Sequence, residues 1–370
     1  MSDYAGRMGR LQEQLQAQGA SGVVLAGTDQ MRYLTGWREG GHERFVGLLI
    51  PAQGEPAFLV PAMNAAQAHE TPSGISHVVG WSDAAGWQEA ASRLIGTWPD
   101  ARIVLVDDEM FSVHLLALQE LFPQSKFRAA GETMARLREI KTADELDAMQ
   151  RAAAMIDEVF EDVVSQLREG MTETELADLV RAEIRVRGSS ASFAPLVCFG
   201  PNSALPHHHT GARTLNRGDV IIIDIGCVVD EYASDITRTL ALGEPELPDV
   251  RRVYEIVLQA HRAAREAARP GVTGESVDAA ARTVIERAGF GEQFLHRTGH
   301  VIGLSVHEPP NIVAGNTAPL KPGMCFSVEP GIYLSGRFGI RLENIVTVTE
   351  TGVRSLNAEV DSELRVIAVR

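Results

Sequence analysis

The chain has 370 residues and a formal net charge of −15, with 45% hydrophobic and 22% charged residues. This length is enough for two domains with separate cores, because single cores stop growing at roughly 250–300 residues. The acidic balance argues against nucleic acid as a partner, since phosphate binding needs a concentrated basic face that this sequence does not show.

The cysteines and the N-terminus exclude further classes. Cys198, Cys227 and Cys325 lie far apart in apolar, strand-like stretches, which disfavours a disulfide framework or a CxxC-type zinc site. The N-terminus lacks the apolar stretch of a signal peptide, and no apolar run approaches the roughly 20 residues of a membrane span. We therefore expect a soluble, cytoplasmic protein without a membrane partner.

The first part of the chain alternates helix-like and strand-like stretches. An amphipathic segment at Met8–Gln18 is followed by short apolar runs at Gly22–Ala26, Phe45–Ile50, Ala57–Val60 and Ile103–Val106. Short apolar runs alone do not separate strands from buried helices, but their alternation with amphipathic text favours an α/β domain.

A charged stretch then leads into a long helical pattern. Thr142 followed by Glu145 is a capping-box signature, and apolar residues continue at helical spacing as far as Val163. We therefore predict a first domain over residues 1–135 and a second over residues 136–370.

The second domain contains a faint internal repeat. A Gly-x-Thr phrase at Gly170 precedes a helical stretch ending at Gly188, and a similar phrase at Gly271 precedes one ending at Gly289, with a constant offset of 101 residues. In each copy the glycine can end one helix and the threonine can cap the next. This duplication predicts two half-domains that face each other across a cavity.

Asp224 is the most informative residue of this domain, because it interrupts the apolar run Val220–Gly226. A bare carboxylate in a buried strand costs several kcal/mol, so it is usually neutralised, hydrogen-bonded or bound to a cation. A second acid, Asp235, follows eleven residues later. Either the Asp224 carboxylate destabilises the strand or it binds a metal ion.

Further candidate ligands lie in the C-terminal third. His300, Glu329 and Glu343 are each flanked by glycine or β-branched residues, which predicts side chains that project from short strands and turns into one cavity. Four carboxylates and one imidazole suit divalent ions such as Mn²⁺, Co²⁺ or Zn²⁺. Because four carboxylates are too negative for one ion to balance, we expect two ions that share a bridging water.

These stretches, with Val306-His307-Glu308, resemble in order and spacing the motif series of the pita-bread metallopeptidases. That family includes methionine aminopeptidase, aminopeptidase P and prolidase, with creatinase as a metal-free relative. The first domain looks like the creatinase-type domain of prolidase and aminopeptidase P, with Tyr33-Leu34-Thr35-Gly36 as its most recognisable phrase. The resemblance implies an α/β creatinase-type N-terminal domain and an α+β pita-bread catalytic domain with an internal pseudo-two-fold duplication.

The resemblance also implies roles for the metal ligands. Asp224 would chelate one ion, Asp235 and Glu343 would bridge both, and His300 with Glu329 would complete the other. A hydroxide that bridges the metals would be the nucleophile. Glu329 would also be the proton shuttle between that nucleophile and the leaving nitrogen.

Other residues are candidates for catalysis and substrate contact. His207 and His307 match the family's substrate-contacting histidines and would support the tetrahedral intermediate, although His307 could instead be a core histidine. The two histidines that follow His207 are typical of a solvated loop. We expect Tyr232 and Arg341 to orient the ligating carboxylates, although Arg341 could equally form a structural ion pair.

One residue departs from the family pattern. Many prolidases carry an arginine shortly after the position of His307, where it binds the free carboxylate of a dipeptide, but this chain has Asn311 there. Another cation would then be needed. Arg337 is available for this role, as are Arg38 and Arg44 from the N-terminal domain of a second subunit.

The sequence therefore predicts an Xaa-Pro metallopeptidase with two divalent ions per subunit, Mn²⁺ as first choice and Co²⁺ or Zn²⁺ as alternatives. Its substrates would be small peptides with proline after the scissile bond, as for a prolidase-like dipeptidase. Aminopeptidase P, which takes longer peptides, is the close alternative that Asn311 favours, and a non-catalytic pita-bread binding protein is the alternative from another class. The N-terminal domain implies a homodimer.

Overall fold

In the computed structural model the chain divides into two units, Met1–Arg138 and Glu139–Arg370, where the sequence placed the boundary after residue 135. The residues described are 3–26, 29–98 and 100–369. Within these ranges, no helix is both long enough and apolar enough to cross a bilayer.

The first unit is built on a mixed sheet. Its strands are β1 (Gly22–Leu25), β2 (Gly47–Pro51), β3 (Ala57–Pro61), β4 (Val78–Trp81), β5 (Ile103–Val106) and β6 (Lys126–Ala129), in the order β4-β3-β2-β1-β5-β6. Its helices are α1 (Tyr4–Ala17), α2 (Asp29–Thr35), α3 (Ala65–His69), α4 (Gln88–Ile95), α5 (Ser112–Leu121) and α6 (Gly131–Arg138), with a 3₁₀ turn at Ala62–Asn64. The central strands β1, β2 and β3 are buried along their whole length, which accounts for their continuous apolar sequence. The predicted α/β class of this domain is confirmed.

The second unit begins with the longest helix. Thr142 and Glu145 form a complete capping box at its start, because each side chain accepts from the backbone N–H of the other residue. The helices are α7 (Ala143–Ser165), α8 (Glu173–Val186), α9 (Val250–Ala267) and α10 (Gly274–Arg287), with 3₁₀ turns at Gly200–Ala204 and Gly291–Gln293.

The strands of this unit form several small sheets around the helix pairs. In the first half they are β7 (Ser190–Ala191), β8 (Leu196–Phe199), β9 (Val220–Ile225), β10 (Cys227–Val229), β11 (Tyr232–Ala233) and β12 (Ile236–Leu242). In the second half they are β13 (Gly299–Val301), β14 (Glu308–Ile312), β15 (Cys325–Val328), β16 (Gly331–Leu334), β17 (Phe338–Arg341), β18 (Asn344–Val348), β19 (Val353–Ser355) and β20 (Arg365–Ile367). The sheet orders among described residues are β20-β12-β9-β8, β14-β13-β15-β18-β19, β11-β10-β7 and β16-β17.

The internal repeat corresponds to repeated backbone contacts. Gly170 and Gly271 have φ values of 80° and 84°, a left-handed conformation that favours glycine. The N–H of Gly170 donates to the carbonyl of Leu215 at 2.8 Å, and the N–H of Gly271 donates to that of Leu320 at 2.9 Å. Each helix pair also packs on its own apolar cluster, α7 and α8 with β8 and β9, and α9 and α10 with β13 and β15. The predicted α+β architecture with an internal duplication is confirmed.

Candidate metal centre

Two aspartates come from one antiparallel strand pair of the first half. Asp224 near the end of β9 pairs in register with Thr237 of β12, and Asp235 precedes β12 by one residue. Because residues two apart on a strand face the same side, Asp235 and Thr237 share a face. The two carboxylates are thereby directed to one end of this sheet.

The second half supplies three ligand-type residues from separate segments. His300 lies in β13, and its N–H donates to the Ser327 hydroxyl at 3.0 Å. That hydroxyl donates to Oε1 of Glu329 at 3.0 Å, so Ser327 connects these two residues. Glu343 lies between β17 and β18, where its N–H donates to the Thr237 carbonyl at 3.1 Å and its Oε2 accepts from the Thr237 hydroxyl at 2.7 Å. Thr237 therefore joins the two halves at the site.

Three of these side chains lie close enough together to share a metal ion. Asp235, His300 and Glu343 are all buried, and one ligand atom of each lies within 4.8 Å of the others. Nε2 of His300 is 3.9 Å from Oδ2 of Asp235 and 3.4 Å from Oε1 of Glu329. The sequence predicted that these side chains share one cavity, and the structure adds the distances between them.

The carboxylates have oxygens that nothing in the described part of the chain satisfies. Oδ1 of Asp224, Oδ1 of Asp235 and Oε1 of Glu343 are buried without a hydrogen-bond partner among the described residues. An unsatisfied buried oxygen of a charged group is costly unless a cation compensates it. Oxygen donors of this kind, with one imidazole, fit hard to borderline divalent ions. The residues present therefore suit the metals that the motifs imply.

The pKa values of these groups in the metal-free protein reflect the close packing of buried carboxylates. Burial, followed by the charges of neighbouring carboxylates, raises the pKa values of Asp235 and Glu343 well above their usual range. Burial also raises the pKa of Glu329 to about 7 and lowers that of His300 to about 3. Bound cations would reverse the effect on the carboxylates, because they favour the ionised form, and they would favour the neutral imidazole as burial does.

Arg341 is the buried cation beside the carboxylates. Its guanidinium donates to Oδ2 of Asp224, to the Tyr333 hydroxyl at 2.9 Å and to the Thr237 hydroxyl at 3.1 Å. His296 extends this hydrogen-bond network, because its Nε2 lies 2.8 Å from the same Tyr333 hydroxyl. These contacts fix the orientation of the Asp224 carboxylate from the side away from its unsatisfied oxygen.

The two candidate substrate histidines lie at the rim. The His307 ring is exposed and stands edge-on to the His300 ring, with 4.2 Å between ring centroids. His207 is also exposed, in the loop after the 3₁₀ turn at Gly200–Ala204. The carbonyl of Pro206, the residue before His207, accepts from the Arg341 guanidinium at 3.4 Å, which brings this loop to the site. Partial desolvation is the largest cause that lowers the pKa of His307.

Two predicted residues make contacts that differ from those expected. The Tyr232 hydroxyl donates to Oε1 of Glu145 at 2.7 Å, a carboxylate that belongs to the capping box of α7 and not to the ligand set. Arg337 forms an ion pair with Asp249 at 2.8 Å, and would have to leave it to bind a substrate carboxylate. The roles given to Tyr232 and Arg337 stay predictions.

The N-terminal candidates belong to the other unit. Arg44 forms ion pairs with Asp83 and Glu43, both at 3.0 Å, and these interactions raise its pKa. Arg38 is exposed. Their proposed contact with the substrate of a second subunit stays a prediction.

Sequence reasoning missed one feature of the rim. His208, expected to be solvated, is instead half-buried with Nε2 2.8 Å from Oε2 of Glu173, whose side chain is fully buried. That expectation was wrong because the partner lies 35 residues away on another element. The repeat held a signal, since the position 101 residues after Glu173 is Gly274, so an acid directly after the helix cap is found in the first copy only.

Comparison with known proteins identifies the family. The model of metallopeptidase family M24 matches residues 147–350, and that of the creatinase/prolidase N-terminal domain matches residues 7–140. The chain therefore belongs to metallopeptidase family M24 and is an enzyme of that class, as the motifs predicted.

The chain is similar over almost its whole length to two relatives and to one solved structure. The chain is 42% identical to a probable dipeptidase PepE of Mycobacterium bovis, over 92% of this chain and 90% of that protein. It is 34% identical to an Xaa-Pro dipeptidase of Lactobacillus helveticus, over 98% of this chain and 99% of that protein. Among solved structures, a prolidase from Thermococcus sibiricus superposes with a TM-score of 0.94 at 36% identity, covering 99% of this chain and all of that one.

Proposed function

We propose that the protein is a prolidase-like Xaa-Pro dipeptidase that holds two divalent ions, with Mn²⁺ as the first choice. The ligands in this proposal are Asp224, Asp235, His300, Glu329 and Glu343. The observation that carries it is the group of ligand atoms from Asp235, His300 and Glu343 within 4.8 Å of one another, in which both carboxylates keep a buried oxygen without a partner among the described residues. The relatives named dipeptidase or prolidase support the substrate class.

The chemistry divides between the ions and the chain. When bound, the two ions lower the pKa of water towards neutrality and polarise the scissile carbonyl. Glu329, held by the Ser327 hydroxyl, takes a proton from the attacking water and delivers it to the proline nitrogen. This delivery is needed because the amide before proline is tertiary and its nitrogen has no hydrogen of its own.

The rim residues act on the substrate in this proposal. His207 and His307 donate hydrogen bonds to the carbonyl oxygen as negative charge develops on it. Arg341 keeps Asp224 oriented through the hydrogen bond to Oδ2 and is a positioning group.

A second candidate, an Xaa-Pro aminopeptidase that acts on longer peptides, is favoured by Asn311. This residue pairs in register with His300 across β13 and β14, so it lies beside the ligand histidine. An asparagine there supplies no charge for the carboxylate of a dipeptide. A longer substrate would not need that charge.

A substrate panel separates these functions. Metal-free protein reloaded with Mn²⁺, Co²⁺ or Zn²⁺ is tested on Ala-Pro, its C-terminal amide and Ala-Pro-Ala. The dipeptidase predicts fastest release of proline from Ala-Pro, whereas similar rates on all three favour the aminopeptidase. No hydrolysis with any metal would leave the non-catalytic binding protein. Light scattering on the same samples checks the predicted homodimer.

A further inference from the structure

A fully buried carboxylate holds the loop that carries His207. Oε1 of Glu173 accepts from the N–H of Phe199 at 2.9 Å and from the side-chain amide of Asn202 at 2.8 Å. Oε2 accepts from Nε2 of His208 at 2.8 Å and from the N–H of Gly211 at 3.0 Å. The exposed fraction of the Glu173 side chain is 0%. One buried side chain therefore contacts this loop both before and after His207.

The fold itself does not require this carboxylate. Gly274 occupies the corresponding position in the second copy of the repeat, directly after the helix cap Thr273. A Cβ atom built there would lie 2.6 Å from the side-chain amide nitrogen of Asn316, which donates to the Asn311 carbonyl. The same helix start thus forms with a neutral group in place of the acid. Because burying a charge is costly, Glu173 needs a reason particular to the first half.

The second rim histidine has a comparable support. Glu308 follows His307 directly, and its Oε2 lies 3.1 Å from Nζ of Lys141. The exposed fractions of the two side chains are 4% and 2%, so this ion pair is buried. Oε1 of Glu308 also accepts from the N–H of Ser305 at 3.2 Å. In both loops, an exposed histidine is followed by a residue that is tied to a buried charge.

We propose that Glu173 and Lys141 are positioning residues, Glu173 acting on His207 through His208 and Lys141 acting on His307 through Glu308. Each buried charge limits the positions that the exposed ring can take, so that both rings meet the substrate carbonyl without an ordering step. The role of the two histidines in this inference rests on the proposed function. The contacts that hold their loops do not depend on it.

The first arm is tested with Glu173→Gln. The amide replaces one acceptor oxygen by a donor, so two of the N–H groups that now bind the carboxylate lose their acceptor. Glu175→Gln is the matched control, because it makes the same change two residues later in the same helical turn, where the side chain accepts from Thr172 and not from the His207 loop. Hydrogen exchange over residues 199–211 is measured by mass spectrometry in metal-loaded protein.

Glu173→Gln is expected to speed exchange in this segment roughly tenfold or more, and the control is expected to leave it unchanged. A matching fall in kcat on Ala-Pro should disappear in the His207→Ala background, since a residue that acts only through His207 adds nothing once that ring is gone. Unchanged exchange, or effects that multiply in the double variant, would overturn the proposal. If Glu173→Gln does not fold, His208→Gln breaks the same link from the other side.

The second arm uses the double variant Lys141→Met/Glu308→Gln, which removes both charges so that neither is left buried alone. Lys321→Met is its control, because Lys321 pairs with Glu139 at 2.8 Å while half-exposed. Faster exchange over residues 303–309 and a kcat effect that vanishes with His307→Ala are expected from the double variant only. Wild-type protein that cleaves no Xaa-Pro bond would refute the proposed function, and the exchange data would still decide whether the two charges hold the loops.

Discussion

The two halves of the catalytic unit start from the same scaffold and contribute to the site in different ways. The first half delivers Asp224 and Asp235 from one antiparallel strand pair, β9 and β12. The second half delivers His300, Glu329 and Glu343 from three separate segments. Short aspartate side chains suit positions fixed by a strand ladder, whereas longer glutamates reach the same centre from the ends of strands. A duplicated fold therefore does not require duplicated ligands.

The halves also support each other at the site. Arg341 from the second half orients Asp224 from the first, and Thr237 from the first half holds Glu343 from the second. Each half thus leaves one carboxylate whose orientation depends on the other half. The candidate metal centre therefore depends on the contact between the two halves.

The largest effect is expected from Asp235→Asn. This change keeps the shape of the side chain but removes a negative charge from the group of buried ligands, so affinity for divalent ions and kcat/KM should both fall by about a hundredfold or more. In metal-free protein the effect on stability should be the opposite, and the variant should unfold at higher temperature. The raised pKa of Asp235 means that the wild-type carboxyl must take up a proton or stay buried as a charge at neutral pH, and the amide does neither.

Asp249→Asn is the control, since Asp249 pairs with Arg337 near the surface. Calorimetric metal titration and thermal unfolding, with and without chelator, measure both effects. Unchanged metal affinity in Asp235→Asn would remove this residue from the ligand set and leave the first half with Asp224 alone.

An intermediate effect is expected from Glu329→Gln in the metal-free protein. Burial raises the pKa of Glu329 to about 7 from its usual value of 4.5. The folded state therefore binds a proton more tightly than the unfolded state, and the stability from this group is present below pH 4.5 and lost as pH rises through 7. The glutamine variant does not titrate. Its free energy of unfolding relative to wild type should rise by about 1–3 kcal/mol across this range and then stay constant.

Urea unfolding at several pH values, with chelator present, measures this difference. The comparison measures Glu329 together with its interaction with Asp235 and Glu343, because burial and, in addition, the charge of Glu329 raise the pKa values of both. With metal bound the pH dependence should disappear, since cations keep the carboxylate ionised. A difference that does not vary with pH would mean that Glu329 is not desolvated in the protein alone.

The sequence predicted the parts of this molecule that depend on local chemistry. The Thr142–Glu145 capping box marked the start of α7, and the apolar run around Asp224 became β9. Asp224 could be recognised as a candidate ligand because a carboxylate in a buried strand is stable only when it is neutralised, hydrogen-bonded or bound to a cation. The family motifs supplied the rest of the set.

Contacts between distant residues could not be predicted in this way. The link between His208 and Glu173 joins an apparently solvated loop to what looked like an ordinary acid in the first turn of a helix. Tyr232 likewise reaches Glu145 across 87 residues. Spacing and composition carry no information on which polar groups share a buried environment, so these partners required the fold.

The smallest effect concerns the caps of the two corresponding helices. Thr172 forms a complete capping box with Glu175, whereas Thr273 accepts from the Ser276 N–H at 3.3 Å, with the shorter Ser276 side chain in place of the glutamate. Alanine at position 172 should lower the free energy of unfolding by about 1–2 kcal/mol, and at position 273 by about 0.5–1 kcal/mol, because only the first change breaks a reciprocal pair. Urea titration of both variants with metal removed gives the comparison. Equal losses would mean that the Ser276 hydroxyl, 2.9 Å from that of Thr273, replaces the carboxylate fully, and the two halves would then differ only in the groups that serve the site.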